Sequence, residues 1–296
     1  MREQNEAKLN AVIFGAGEAG CAAYELLQGQ FHIRAFVDND AAKHGSELQG
    51  IQIIGPEDIR SIGVDKILIA SEYSEQIEAQ LKSMGLEQDI EVLSSRYLKA
   101  IDFSAPEVRE KAIQALLALC AILNKTNIRY YVDAGTLLGI VRDGDLIPWD
   151  DDLDIALHAD DLAELAVQLP DVLEAMQEAI GVQYSVNTHM NNTAFGAVAE
   201  GAVRSLKLLP VDLSSGMPMI DVFVKYIDGD NMDYCLASRG IRMPAIHFSS
   251  HDELLFRQQI IKLPYDHKAY LQTHYGDWQT PKPDWSLSEL DNSTLF

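Results

Sequence analysis

The chain has 296 residues, 47% hydrophobic and 23% charged, a soluble globular composition long enough for two domains. Lys and Arg number 23 against 45 Asp and Glu, a net charge of −22, so no general positive field is available to bind nucleic acid. The three cysteines, Cys21, Cys120 and Cys235, are too sparse for a disulfide framework, and no apolar run approaches the roughly 18 residues that span a bilayer.

The N-terminus lacks a signal-peptide pattern. The expectation is a cytoplasmic protein without a transmembrane segment; a peripheral place at the inner face of the membrane is left open. Cys21 and Cys120 fall in apolar helical patterns and are expected in the core. The eight histidines show no His-x-x-x-His pattern on an expected helix, which argues against zinc chemistry.

The first hundred residues alternate strand and helix. "NAVIF" (10–14) is a strand running into "GAGEAG", followed by a helix through Leu27. "IRAFVD" (33–38) and "KILIAS" (66–71) read as strands, and "SEQIEAQLKSMG" (74–85) as a helix closed by Gly85. This rhythm predicts a parallel sheet covered on both faces. Gly15, Gly17 and Gly20 match G-x-G-x-x-G, which permits a tight turn and close approach of a diphosphate to the helix N-terminus. Asp38 ends the second strand, where an acid can bond a ribose hydroxyl. An unused, scaffold-like turn has the same sequence signature.

"LSSRYLKAIDFSAP" (93–106) breaks the alternation and suggests a boundary, giving domains 1–100 and 101–296. A long amphipathic helix is expected over 106–128, with Ile113, Leu116, Leu117, Cys120 and Leu123 on one stripe. "RYYVDAG" then reads as a strand entering "GTLLGIVRDGDLIPWDDDLDIAL" (135–157), where Asp145, Asp150, Asp151, Asp152 and Asp154 crowd together.

A strand over 150–157 would put Leu153, Ile155 and Leu157 on one face and Asp152 and Asp154 on the other, with α-carbons roughly 7 Å apart. Carboxylates at that spacing can converge on hard divalent cations, best Mg²⁺ or Mn²⁺. Asp221, alone among apolar neighbours in "MIDVFVKY" (219–226), is costly to bury without a compensating charge and is the expected third ligand. Gly135 and Thr136 open a turn or helix whose N–H groups could hold phosphate. Arg142 could clamp a diphosphate or pair with the acidic cluster. Asp150 and Asp151 flank the pair. Trp149 could stack on a base, though packing beside Pro148 is the commoner use of such a residue.

The first half resembles the Rossmann-like N-terminal domain of bacterial polysaccharide-biosynthesis enzymes of the CapD and PglD types, over nearly all of residues 10–95. The resemblance implies a nucleotide or nucleotide-sugar ligand, at Gly15, Gly17, Gly20 and Asp38. The second half, through "YYVDAGTLLGIVRDGDLIPWDDDLDIAL", "IDVFV" and "LPYDHKAYLQTHYGDWQTP" (263–281), resembles the LicD/fukutin family. It implies an α+β nucleotidyltransferase fold, with Asp152, Asp154 and Asp221 as metal ligands and Gly135 and Thr136 at phosphate.

The implied activity is metal-dependent transfer of a phosphorylated alcohol, such as phosphocholine or ribitol phosphate, from a CDP-linked donor. The acceptor would be a cell-surface glycan, free or lipid-linked, as in capsule, lipopolysaccharide or teichoic acid. Asp221 or Asp150 is the candidate proton acceptor. A nucleotidyltransferase making the activated donor and a non-catalytic nucleotide-binding regulator are the alternatives. Two positions depart from the family: Asp143 stands where a basic residue is usual, and Ala134 where a glycine is common.

Overall fold

The computed structural model describes residues 8–71, 73–86, 88–93, 101–283, 285 and 287–296. The chain divides into two compact units, Met1–Ala100 and Ile101–Phe296. Part of the break expected at 93–106 lies outside the described residues.

The first unit contains β1 (Asn10–Phe14), α1 (Glu18–Leu27), β2 (His32–Val37), β3 (Glu47–Leu48), β4 (Ile51–Ile54), β5 (Lys66–Ile69), α2 (Ser74–Ser83) and β6 (Asp89–Val92). Its sheet runs in the order β3-β4-β2-β1-β5-β6, and β1 pairs in parallel with β2 and β5. β1 is apolar almost throughout because both its faces are covered. Ala11 and Ile13 pack with Ala23 and Leu27 of α1. Val12 and Phe14 pack on the other side with Ile77 and Leu81 of α2. Cys21, expected in the core, is only partly buried.

The second unit opens with α3 (Pro106–Leu123), β7 (Tyr130–Val132), α4 (Ala134–Asp143), β8 (Asp152–His158), α5 (Leu162–Ile180), β9 (Tyr184–Met190) and β10 (Val203–Pro210). It continues with β11 (Met219–Asp228), β12 (Asn231–Leu236), β13 (Arg239–Pro244), α6 (Ile246–Ser249), β14 (His251–Phe256), β15 (Gln259–Pro264), α7 (His267–Tyr275) and β16 (Ser293–Leu295). The helix expected over 106–128 stops at Leu123. Thr126 there donates its hydroxyl to the Leu123 carbonyl (2.8 Å) and accepts the Ile128 N–H (3.2 Å), a side-chain competition that ends helices. The strand expected from Asp150 begins at Asp152, because the Asp150 N–H closes a turn onto Ile147.

A mixed sheet forms the centre of this unit. β11 pairs antiparallel with β10 and parallel with β8, and β8 pairs antiparallel with β7. Leu206, Leu208, Val222, Ile155 and Leu157 face Leu119 and Leu123 of α3 and Leu165, Leu169 and Val172 of α5 across one apolar layer. Residues at the intervening positions therefore point to the opposite face of the sheet, where the carboxylates gather.

Candidate active site

β8 and β11 run in parallel with Asp154 opposite Asp221 and Asp152 opposite Met219. Directly paired residues point the same way, so Asp221 joins Asp154 on one face. Ligand oxygens of Asp150, Asp152 and Asp154 all lie within 4.8 Å of one another. Asp154 and Asp221 are 5% and 7% exposed, too buried for water to screen this crowding.

The charges oppose one another. Burial first, then the neighbouring Asp154, Asp150, Asp151 and Asp221 push the Asp152 carboxyl well above its ordinary range. Asp154 is raised by burial, then by Asp150, Asp221 and Asp133, against a lowering by the Thr136 N–H. A buried group of hard oxygen donors with mutually repelling charge suits a divalent cation of the Mg²⁺ type.

α4 supplies the wall beside these acids. The Thr136 hydroxyl accepts the Asp154 N–H (2.8 Å), and the Thr136 N–H donates to Asp154 Oδ2 (3.2 Å). Thr136 thus fixes the Asp154 carboxylate. Gly135 passes so close beneath the acids that a Cβ there would collide with Asp150 Oδ2 and lie 3.4 Å from Asp154 Oδ2. Ala134 has φ +43°, the left-handed region that favours glycine, which accounts for the glycine common at this position in the family.

Arg142 is bound bidentately by Asp143, at 2.9 and 2.7 Å. Asp145 leaves the cluster, lying 3.5 Å from both Arg109 and Arg257. Trp149 packs against the hydrophobic core.

Sequence reasoning missed what lies behind the carboxylates. Asp133, the residue before α4, meets Lys225 of β11 at 2.8 Å, and their side chains are 2% and 0% exposed. Tyr270 of α7 donates its hydroxyl to Asp133 (2.6 Å), and Lys225 Nζ sits 3.1 Å from the centre of the Tyr234 ring. Burial alone would raise Asp133, but Lys225 and Tyr270 outweigh it and hold the acid below its usual range. Burial lowers Lys225, while Asp133 and Asp154 oppose that shift. The signal was present: a lysine four residues after Asp221 in an apolar strand shares its face. Lys207 of β10 was also missed; it lies 3.6 Å from Asp221 Oδ2.

In the first unit, Gly15 has φ +119° and a Cβ there would collide with the Ala70 carbonyl; one at Gly20 would collide with the Gly15 carbonyl. Gly17 faces open space. Asp38 accepts N–H bonds from Ala16 (3.0 Å) and Asp40 (2.9 Å) and pairs with Lys43 (2.8 Å). Burial would raise this acid, but these partners hold it below its ordinary range. Asp38 therefore ties the glycine turn to the end of β2.

Residues 7–90 match the family "C2185-like, N-terminal", and residues 127–266 match "LicD/FKTN/FKRP, nucleotidyltransferase domain". The uncharacterized protein RP689 of Rickettsia prowazekii (strain Madrid E) is 49% identical over 49 residues, 17% of this chain and 18% of that protein. Ribitol 5-phosphate transferase FKRP of Mus musculus is 31% identical over 83 residues, 24% of this chain and 17% of that protein. These matches span less than a fifth of either relative. Among solved structures, UDP-D-quinovosamine 4-dehydrogenase from Vibrio fischeri is 28% identical, covering 29% of this chain and 79% of that one, with a TM-score of 0.26. The family match coincides with α4, β8 and β11, the elements that bear the carboxylates, so the site lies in the part of the chain that is similar to the LicD/FKTN/FKRP nucleotidyltransferase domain.

Proposed function

We propose that the second unit is a phosphotransferase that moves a phosphorylated alcohol from a CDP-linked donor to a glycan hydroxyl. The observation that supports it most is the register of β8 with β11, which joins Asp221 to the Asp152/Asp154 pair on one buried face. The family match supports the reaction class, and the segment shared with a ribitol 5-phosphate transferase supports a polyol phosphate as cargo.

Asp152, Asp154 and Asp221 would hold Mg²⁺ or Mn²⁺, which supplies neutralisation of the diphosphate and of the charge that develops on the leaving oxygen. Thr136 keeps Asp154 in place, and Gly135 leaves room for the acids beside the α4 backbone. The acceptor oxygen attacks the alcohol-bearing phosphorus in line, the bond to CMP breaks, and Asp150 takes the hydroxyl proton. Asp150 suits this role better than Asp221 because it precedes the strand and is less buried. In the first unit, Gly17 and the Asp38 end of β2 would hold a nucleotide or nucleotide-sugar.

The test is a screen of CDP-linked donors, including CDP-ribitol and CDP-choline, with Mg²⁺ and glycan acceptors. Release of CMP that Asp154→Asn abolishes is the expected result. Pyrophosphate release from CTP, with no CMP from any CDP-linked donor, would instead identify an enzyme that makes the donor. Neither product from the intact chain would leave a nucleotide-binding regulator.

A further inference from the structure

The site presents an electrostatic difficulty to the substrate proposed for it. Asp150, Asp152, Asp154 and Asp221 line one face, in a chain of net charge −22. A nucleoside diphosphate brings further negative charge to that wall. A cation beside the metal would favour its approach.

The basic groups around the site differ in what they can reach. Arg142 is clasped by Asp143. Arg109 and Arg257 flank Asp145. Lys225 is sealed with Asp133, with no exposed surface.

Lys207 lies in the sheet itself, in line with the acids. It stands opposite Asp221 in the β10–β11 pairing and opposite Asn187 in the β9–β10 pairing. Because Asp221 stands opposite Asp154, Asn187, Lys207, Asp221 and Asp154 form one row across neighbouring strands. Such a row points to a single face. Leu206 and Leu208 on either side of Lys207 turn the other way, into the layer under α3 and α5.

The ammonium lies 3.6 Å from Asp221 Oδ2, and the side chains are 23% and 9% exposed. The pair stands at the border between the carboxylates and solvent. A lysine carries a compact charge on a flexible four-carbon stem, and its Nζ can swing to an anion placed beside Asp221.

We propose that Lys207 binds the phosphates of the nucleotide donor and is a substrate-binding residue of this site. The assignment rests on the phosphotransferase reading for its ligand, a nucleoside diphosphate. Its paired state with Asp221 keeps the ammonium beside the acids until the phosphates arrive.

The experiment is calorimetric titration of the full chain with CDP in the presence of Mn²⁺. Lys207→Met is expected to weaken CDP about tenfold to a hundredfold, the effect of losing a charged hydrogen bond. Lys207→Arg should retain most of the affinity. Mn²⁺ alone should bind the Met variant no more weakly than the wild type, which a merely structural role for Lys207 would not give. CDP binding by Lys207→Met equal to wild type would overturn the proposal, as would a wild-type chain with no affinity for CDP.

Should the Met variant fail to fold by circular dichroism, the wild type decides through amine acetylation read by mass spectrometry. Protection of Lys207 by CDP with Mn²⁺ supports the assignment, and unchanged labelling overturns it. Turnover is read separately. A wild type that binds CDP through Lys207 but releases no CMP from CDP-linked donors leaves this assignment standing and removes the proposed reaction.

Discussion

Asp133 and Lys225 form a fully buried ion pair behind the carboxylate cluster, one at the entry to α4 and the other on β11. The pair joins the strand that carries Asp221 to the helix that carries Thr136. Removing one partner strands the other charge, so Lys225→Met should cost about 3–5 kcal/mol. Adding Asp133→Asn should recover part of that loss, because the orphaned charge disappears. Urea denaturation of both single variants and the double variant checks this; simple additivity would mean that the two groups are not coupled.

The acids of the site should oppose stability while supporting chemistry. Asp154→Asn removes one of several repelling charges without changing size. Metal-free protein carrying it should be more stable than wild type by an amount on the order of 1 kcal/mol, yet bind Mn²⁺ poorly and transfer nothing. Thermal melts in EDTA and Mn²⁺ titration read the two effects independently. A destabilised Asn variant that still binds Mn²⁺ would contradict both.

His274 of α7 is a pH-sensitive element away from the acids. It stacks on Tyr270, and its Nδ1 is 3.4 Å from the Tyr234 hydroxyl. Burial pushes its pKa down from 6.5 to about 4. As pH falls below 6.5 the unfolded chain takes the proton first, so stability present at neutral pH is lost progressively down to about 4. The loss between pH 7 and pH 5 should be about 2 kcal/mol. His274→Gln should flatten that slope, whatever it does to stability at pH 7.

Strain at Ala134 gives a change of the opposite kind. An L-residue in the left-handed region costs about 1–2 kcal/mol, part of which glycine returns through its freer unfolded chain. Ala134→Gly should therefore stabilise by up to about 1 kcal/mol. The same substitution at Ala115, inside α3, should destabilise by about as much. Equal effects at the two positions would remove the argument from strain.

The glycines of the first unit should separate folding from binding. Gly20→Ala should lower thermal stability, because its Cβ has no room beside the Gly15 carbonyl. Gly17→Val should leave the melt unchanged and block any nucleotide that uses the turn. Thermal shifts of the full chain with NAD, CoA and UDP-sugars read this. No shift from any of them in the wild type would mark the turn as scaffold.

What could be read from the sequence was what repeats along it. Alternation in "LDIAL" and "IDVFV" places Asp154 and Asp221 on polar faces, and apolar runs such as "NAVIF" announce a sheet buried on both sides. β9 and β10 were not legible: "YSVNTHM" is mostly polar, and "VRSLKLLP" interrupts its alternation with Lys207. Asp133 read as the end of a strand because its partners, Lys225 and Tyr270, are brought to it by tertiary packing alone. The clasp of Asp143 on Arg142 was not legible either, because it depends on rotamers that spacing does not reveal.

The alignment of Asp154 with Asp221 also bears on when the site can exist. β8 and β11 are parallel, so the chain must travel through α5, β9 and β10 before they can meet, a non-local closure that is slow to form. A slip of a single residue in that pairing would turn Asp221 toward the helices. An emerging chain therefore holds the first two acids long before it acquires the third. Capture of a divalent cation by all of them would report correct strand alignment, and a partly folded chain would be unable to consume activated donor before its architecture is complete.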